Sequence, residues 1–169
     1  MKQHIYLIGF MGTGKTTVSH KLQELTRAEE IDMDAWIVKK NGMSINDMFE
    51  KYGETYFRDR ETDAVREISG YEPAIVSCGG GAVLRDQNTQ MMKESGRIVL
   101  LTATPETIYE RVKDSTDRPL LNGNMNVEHI ANLMEKRREL YANACDISVA
   151  TDGKTPQAIA EEILEISQN

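Results

Sequence analysis

The 169-residue chain has few of the features that would send it to a membrane, an oxidising compartment or nucleic acid. No apolar run approaches the length of a membrane span. The first residues lead straight into an apolar strand-like run, so no secretory leader is expected. The two cysteines, Cys78 and Cys145, are far apart and lack metal-ligand spacing, so they read as reduced thiols and the expected compartment is the cytoplasm. Positive charge is also short: the net charge of −7 argues against a general nucleic-acid binder, although a local pocket can still be basic. No internal repeat, low-complexity tract or linker interrupts the chain. Its length suits one domain, and 40% hydrophobic with 28% charged residues is ordinary globular composition.

What is present is more specific. Gly9-Phe10-Met11-Gly12-Thr13-Gly14-Lys15-Thr16 fits G-x-x-x-x-G-K-[ST], a phosphate-binding loop. It follows the strand-like run 4–8 and precedes apolar residues at helical spacing, Val18, Leu22 and Leu25, as that loop requires. Gly12 and Gly14 let backbone N–H groups turn toward phosphate oxygens, and the helix N-terminus adds partial positive charge. In such loops the lysine, here Lys15, reaches the terminal phosphates, and the hydroxyl of Thr16 ligates Mg²⁺.

Strands are expected over 4–8, 29–33, 74–78, 97–102 and 146–150. Helices are expected over 15–27, 34–41, 44–51, 53–69, 86–95, 105–113, 126–143 and 155–167. This alternation predicts an α/β fold with a parallel sheet covered on both faces. Helix starts are marked at Ser44-Ile45-Asn46-Asp47, Thr104-Pro105 and Thr155-Pro156. The polar stretch 114–125, with Gly and Pro, reads as a long loop of the kind that serves as a lid.

Four further features narrow the chemistry. Asp32 and Asp34 lie at the end of the second strand, two apart, so in extended chain both carboxylates point one way. One could hold a metal-bound water and the other a substrate hydroxyl; a helix cap at Asp34 would explain only one of them. Arg58 and Glu61 are three apart on a helix and share a face, either as an exposed ion pair or as an arginine held to clamp an anion. Gly79-Gly80-Gly81 after a buried strand exposes bare backbone where a ligand approaches, or makes a very tight turn. Arg118 in the loop, with Arg137 and Arg138 on a late helix, could neutralise phosphate charge or be solvated surface. His4, His20 and His129 fit no motif.

The pieces 9–16, Asp32-x-Asp34, Gly42-Met43-Ser44-Ile45 leading to Phe49, Gly53-Glu54-x-x-Phe57-Arg58-x-x-Glu61, Gly79-Gly80-Gly81, Arg118-Pro119-Leu120-Leu121 and Arg137-x-x-x-Tyr141 occur together. In this order and spacing the chain resembles the shikimate kinases from end to end. The resemblance implies a P-loop fold of the nucleoside-monophosphate-kinase group, with a five-stranded parallel sheet in order 2-3-1-4-5 flanked by helices. It implies a single kinase domain in which 34–62 forms a substrate-binding subdomain and 112–125 a lid. The implied reaction is ATP-dependent phosphorylation of the shikimate 3-hydroxyl in aromatic amino-acid (chorismate) biosynthesis, with Mg²⁺, by a monomer that binds neither nucleic acid nor membrane.

By the same resemblance the catalytic residues are Lys15, Asp34 and Arg118. ATP is held by Gly12, Thr13, Gly14, Lys15, Thr16, Thr17, Arg111, Arg118 and Lys154, with Arg111 packing on the adenine. Shikimate, a monoanionic triol, is held by Asp34, Arg58, Glu61, Gly79, Gly80, Gly81 and Arg137, and the metal by Thr16 and Asp32. Ser19, Glu29-Glu30 and Ser77-Cys78 depart from the family pattern and are expected to affect packing only. A gluconate kinase of the same fold, a non-catalytic nucleotide-binding regulator and a nucleic-acid-acting ATPase are the competing readings. The regulator would lack Lys15, Asp34 or a clamp arginine, and all are intact.

Overall fold

The structure, a computed structural model, describes residues 1–114, 123 and 125–168. Among them lie five strands and nine helices: β1 (His4–Ile8), α1 (Lys15–Thr26), β2 (Glu29–Asp32), α2 (Met33–Asn41), α3 (Ile45–Tyr52), α4 (Glu54–Ser69), β3 (Ala74–Ser77), α5 (Asp86–Ser95), β4 (Gly96–Thr102), α6 (Pro105–Val112), α7 (Val127–Glu135), α8 (Arg138–Ala144), β5 (Ile147–Ala150) and α9 (Pro156–Gln168). The strands form one parallel sheet in the order β2-β3-β1-β4-β5, as expected.

The alternation of side chains along each central strand builds two cores. Ile5, Leu7, Ile75, Val99, Leu101 and Val149 face one side and pack with Val18, Leu22, Ile159 and Ile163 of α1 and α9. Tyr6, Ile8, Val76, Ile98 and Leu100 face the other and pack with Ile37, Met48, Val65, Ile68 and Met92 from the helices of that side. Because both faces are covered at the centre of the sheet, β1 and β3 are buried along their length, and the C-terminal ends of the strands, where loops emerge, become the place for polar chemistry.

Most helix starts follow their capping residues. Ser44 accepts from Asp47 N at 3.1 Å, Thr104 from Thr107 N at 3.2 Å, and Thr155 from Ala158 N at 3.1 Å. α1 differs: Gly14 precedes it with φ 95°, and no side chain caps its first turn. The second strand ends at Asp32, since Met33 already begins α2.

The single helix expected over 126–143 is two helices. α7 ends at Glu135, and Arg137, with φ −112° and ψ −5°, precedes α8. The apolar spacing carries through this break, so periodicity alone did not reveal it. The break turns the Arg137 side chain toward the C-terminal end of β3, where it meets Gly80.

Candidate active site

Loops at the C-terminal edge of the sheet enclose a cavity of about 810 Å³, lined by the phosphate loop, the start of α2, α4, the triple glycine, Arg111 and the Arg137–Tyr141 turn. On one side lies the phosphate loop. Gly12 and Gly14 have φ of 78° and 95°, a region that L side chains rarely adopt, and this curl turns the loop around the uncapped start of α1. Lys15 Nζ donates to the carbonyls of Gly9 (2.7 Å) and Phe10 (3.2 Å), bracing the curl. Thr16 and Thr17 stand exposed on the cavity wall. Thr13 is turned the other way: it is buried, its hydroxyl donates to Phe10 O at 2.8 Å, and it serves the loop itself.

Opposite lies Gly79-Gly80-Gly81, and each glycine makes room for a different side chain. A β-carbon on Gly79 would lie 2.7 Å from Asp34 Oδ1. One on Gly80 would lie 3.3 Å from Arg137 Nη1, and one on Gly81 would collide with Arg58 Nη1. None of the three needs a left-handed backbone. Close approach by three functional side chains therefore accounts for the run, beyond the bare-backbone and tight-turn readings.

Those three side chains come from separate elements. Asp34 sits in the first turn of α2, half-buried, and burial pushes its pKa above the usual carboxylate range, aided by Asp32 and opposed by Lys15 and Arg58. Asp32 and Asp34 do not share an extended segment, contrary to the expectation from their spacing: Asp32 ends β2 and Asp34 is already helical. Asp32 is the helix cap, accepting from Ala35 N at 3.1 Å, and the two carboxylates meet at the cavity because the strand ends between them. Asp32 uses Oδ1 in that cap and lies exposed in the cavity lining, as does Thr16.

Arg58 and Glu61 are not a surface pair. Arg58 Nη1 donates to Glu61 Oε1 at 2.9 Å, with the Arg58 side chain 14% and the Glu61 side chain 1% exposed. Burial raises the Glu61 pKa, and the Arg58 charge and hydrogen bond counter it. Glu61 Oε2 is buried without a hydrogen-bond partner. The Arg-Glu spacing alone is that of any surface pair; once α4 packs, Phe57, Glu61, Ala64, Val65 and Ile68 form its buried stripe, with Glu61 at an apolar position in it.

Other expected residues fall elsewhere. Arg111 lines the cavity and donates to Gly12 O at 3.0 Å and to Thr151 Oγ1 at 3.1 Å, tying the phosphate loop to the end of β5. Lys154 is not brought into the cavity; its ammonium pairs with Glu162 of α9 at 2.8 Å. Arg138 pairs with Glu135 at 3.3 Å on the exposed surface. Arg118 lies outside the described residues. Ser77 and Cys78, expected to matter for packing only, form part of the cavity wall, as do Phe57, Ile45, Asn46 and Tyr141. Of these, Tyr141 was legible only as the end of the Arg137-x-x-x-Tyr141 spacing.

No cluster of three or more His, Cys, Asp or Glu able to hold a metal by itself occurs among the described residues. A cation here would need ligands from a bound nucleotide in addition to Thr16 and Asp32, which suits a divalent ion carried on phosphates.

Residues 11–168 match the family model described as shikimate kinase. A shikimate kinase from Geobacter sulfurreducens is 42% identical over 161 residues, covering 95% of this chain and 88% of its own. The solved structure of shikimate kinase from Acinetobacter baumannii in complex with shikimate is similar with a TM-score of 0.88 and 34% identity, covering 97% of this chain and 92% of that one. The crystal structure of shikimate kinase from Aquifex aeolicus is similar with a TM-score of 0.81 and 38% identity, over 96% and 94% of the two chains.

Proposed function

The chain belongs to the shikimate kinase family, and on that footing we propose that its cavity seats shikimate against the triple glycine and the nucleotide on the phosphate loop. Its reaction is ATP-dependent phosphorylation of shikimate, a transferase step of aromatic amino-acid biosynthesis. As a kinase it uses ATP with a divalent cation. The observation that carries the residue assignment is the convergence of Asp34, Arg58 and Arg137, each on a different glycine of one turn, facing Lys15 and Thr16 across one cavity.

The two arginines clamp the substrate carboxylate, because planar guanidinium forks match a carboxylate two-handed. Glu61 holds the Arg58 fork in one rotamer. Asp34 orients the 3-hydroxyl toward the γ-phosphate. Its raised pKa makes it a better proton acceptor than an ordinary aspartate, while phosphoryl transfer asks chiefly for alignment and charge neutralisation. Lys15 and the first-turn N–H groups of α1 hold the phosphates. Mg²⁺ carried on the nucleotide would be held by Thr16 and Asp32 and would supply positive charge to the phosphates. Arg111 frames the nucleotide end, and Gly12, Gly14 and Thr17 belong to the same phosphate cradle.

Residues 34–62 act as the substrate-binding part of a single kinase domain, with 112–125 as its lid and Arg118 as the lid cation. The proposed working unit is a monomer. No helix among the described residues is long and apolar enough to cross a membrane, in keeping with a cytoplasmic biosynthetic role. The test is an ADP-release assay with shikimate, gluconate and nucleoside monophosphates as acceptors. Release dependent on shikimate alone is expected. Equal or faster turnover with gluconate would overturn the substrate assignment.

A further inference from the structure

The carbonyl oxygen of Gly80 receives two side-chain donors, Arg137 Nη1 at 2.6 Å and the Tyr141 hydroxyl at 2.7 Å. Tyr141 lies one helical turn beyond Arg137 on α8 and is 6% exposed, its ring packed in the core. Arg137 is only half-buried. Among the described residues no carboxylate pairs with it; it donates to the Gly80 carbonyl, and the Tyr141 hydroxyl also interacts with it directly. A fork that must meet an anion two-handed has to be held in plane, and a hydrogen bond holds it only as firmly as its acceptor is held.

That acceptor belongs to a turn of little intrinsic rigidity. The turn is closed by Ala82 N donating to Gly79 O at 3.1 Å and Leu84 N donating to Gly81 O at 3.0 Å. Neither bond involves the Gly80 carbonyl, and glycine contributes no side chain to fix the peptide plane. The buried phenol does so instead. Burial pushes the Tyr141 pKa up against the hydrogen bond and charge of Arg137, so its hydroxyl remains a donor at neutral pH. In a trans peptide the Gly81 N–H points opposite to the Gly80 carbonyl, so fixing one fixes the other.

We propose that Tyr141 is a positioning residue for substrate binding: its hydroxyl pins the Gly80 carbonyl, and the pinned carbonyl orients the Arg137 guanidinium toward the substrate carboxylate. The proposal rests on the reading of Arg137 as part of the carboxylate clamp. It assigns the Arg137-x-x-x-Tyr141 spacing a physical purpose, since one helical turn brings both donors to one oxygen.

A double-variant cycle tests it, with Tyr141→Phe, Arg137→Ala and the pair, each checked for its parent fold by circular dichroism. The phenylalanine variant keeps the ring and loses only the hydroxyl. It should raise the KM for shikimate by about 3- to 10-fold, the scale of one hydrogen bond, with kcat and the KM for ATP within about twofold of the parent. In the Arg137→Ala background the same change should add nothing. A Tyr141→Phe penalty that persists undiminished without Arg137, that falls equally on ATP, or that does not exist would overturn the positioning role. Arg137→Ala with a parent-like KM for shikimate would instead overturn the clamp reading beneath it.

Discussion

Asp34 and Gly81 show how much of the site is decided by single atoms. Asp34 carries a carboxylate whose pKa is raised mainly by burial, so the folded state holds its proton more tightly than the unfolded chain does. Stability contributed by this group is therefore present at acid pH and lost as pH rises through the folded pKa. Asp34→Asn should accordingly melt higher than the parent at pH 7, with the gap closing as pH falls toward the ordinary aspartate range, while shikimate turnover drops sharply and nucleotide affinity holds. Thermal melts across pH, paired with turnover, check both halves; a variant that is active and less stable would contradict the role. Gly81 tests the other half of the site. A methyl group there meets the flexible end of Arg58 and leaves the backbone unstrained, so the fork should move and the fold should not. Gly81→Ala should weaken shikimate binding by roughly tenfold to a hundredfold, the cost of misplacing a binding group by about 1 Å, at near-parental melting temperature.

At the scale of elements, the site is an inventory of helix ends. α1, like α4, α5 and α8, begins without a side-chain cap, and on the proposed reading its N–H groups are left for phosphate, whereas α2, α3, α6 and α7 are capped by Asp32, Ser44, Thr104 and Asn126. Asp32 caps α2 and is proposed to hold the metal, and substitution can separate the two roles. Asn is as good a cap as Asp, so Asp32→Asn should leave stability near the parent and raise the Mg²⁺ concentration needed for half-maximal rate. Asp32→Ala should show the same metal defect and lose about 1 kcal/mol of stability as well. Chemical denaturation and a Mg²⁺ titration of both variants check this; identical metal dependence in parent and Asp32→Asn would remove Asp32 from the metal site. The helix and strand order was legible from apolar periodicity and turn residues, because each central strand is buried on both faces and each helix presents one stripe. Two features were not. The α7–α8 break depends on where Arg137 meets Gly80, a contact 57 residues apart. The burial of Glu61 depends on α4 packing its stripe inward, which a helical Arg-Glu spacing shares with any surface pair.

Across the whole molecule, a chain of net charge −7 concentrates Lys15, Arg58, Arg111 and Arg137 in one cavity, offset there by Asp32, Asp34 and Glu61. The sheet makes this possible. It brings residues from 15 to 137 to one edge, so the phosphate loop was legible from local sequence while the triple glycine acquired its meaning only from the three side chains it admits. On the proposed reading this edge binds an anionic substrate through Arg58, held by a buried Glu61. Calorimetric titration of shikimate into Arg58→Ala, with a nucleotide titration alongside and the fold verified by circular dichroism, tests it most directly. Truncating one side of a desolvated charge pair costs about 2–5 kcal/mol, so affinity for shikimate should fall about 30- to several-thousand-fold with nucleotide affinity nearly unchanged. Arg58→Lys should recover only part of the loss, because a point charge does not reproduce the planar fork. Shikimate binding equal to that of the parent would contradict the account.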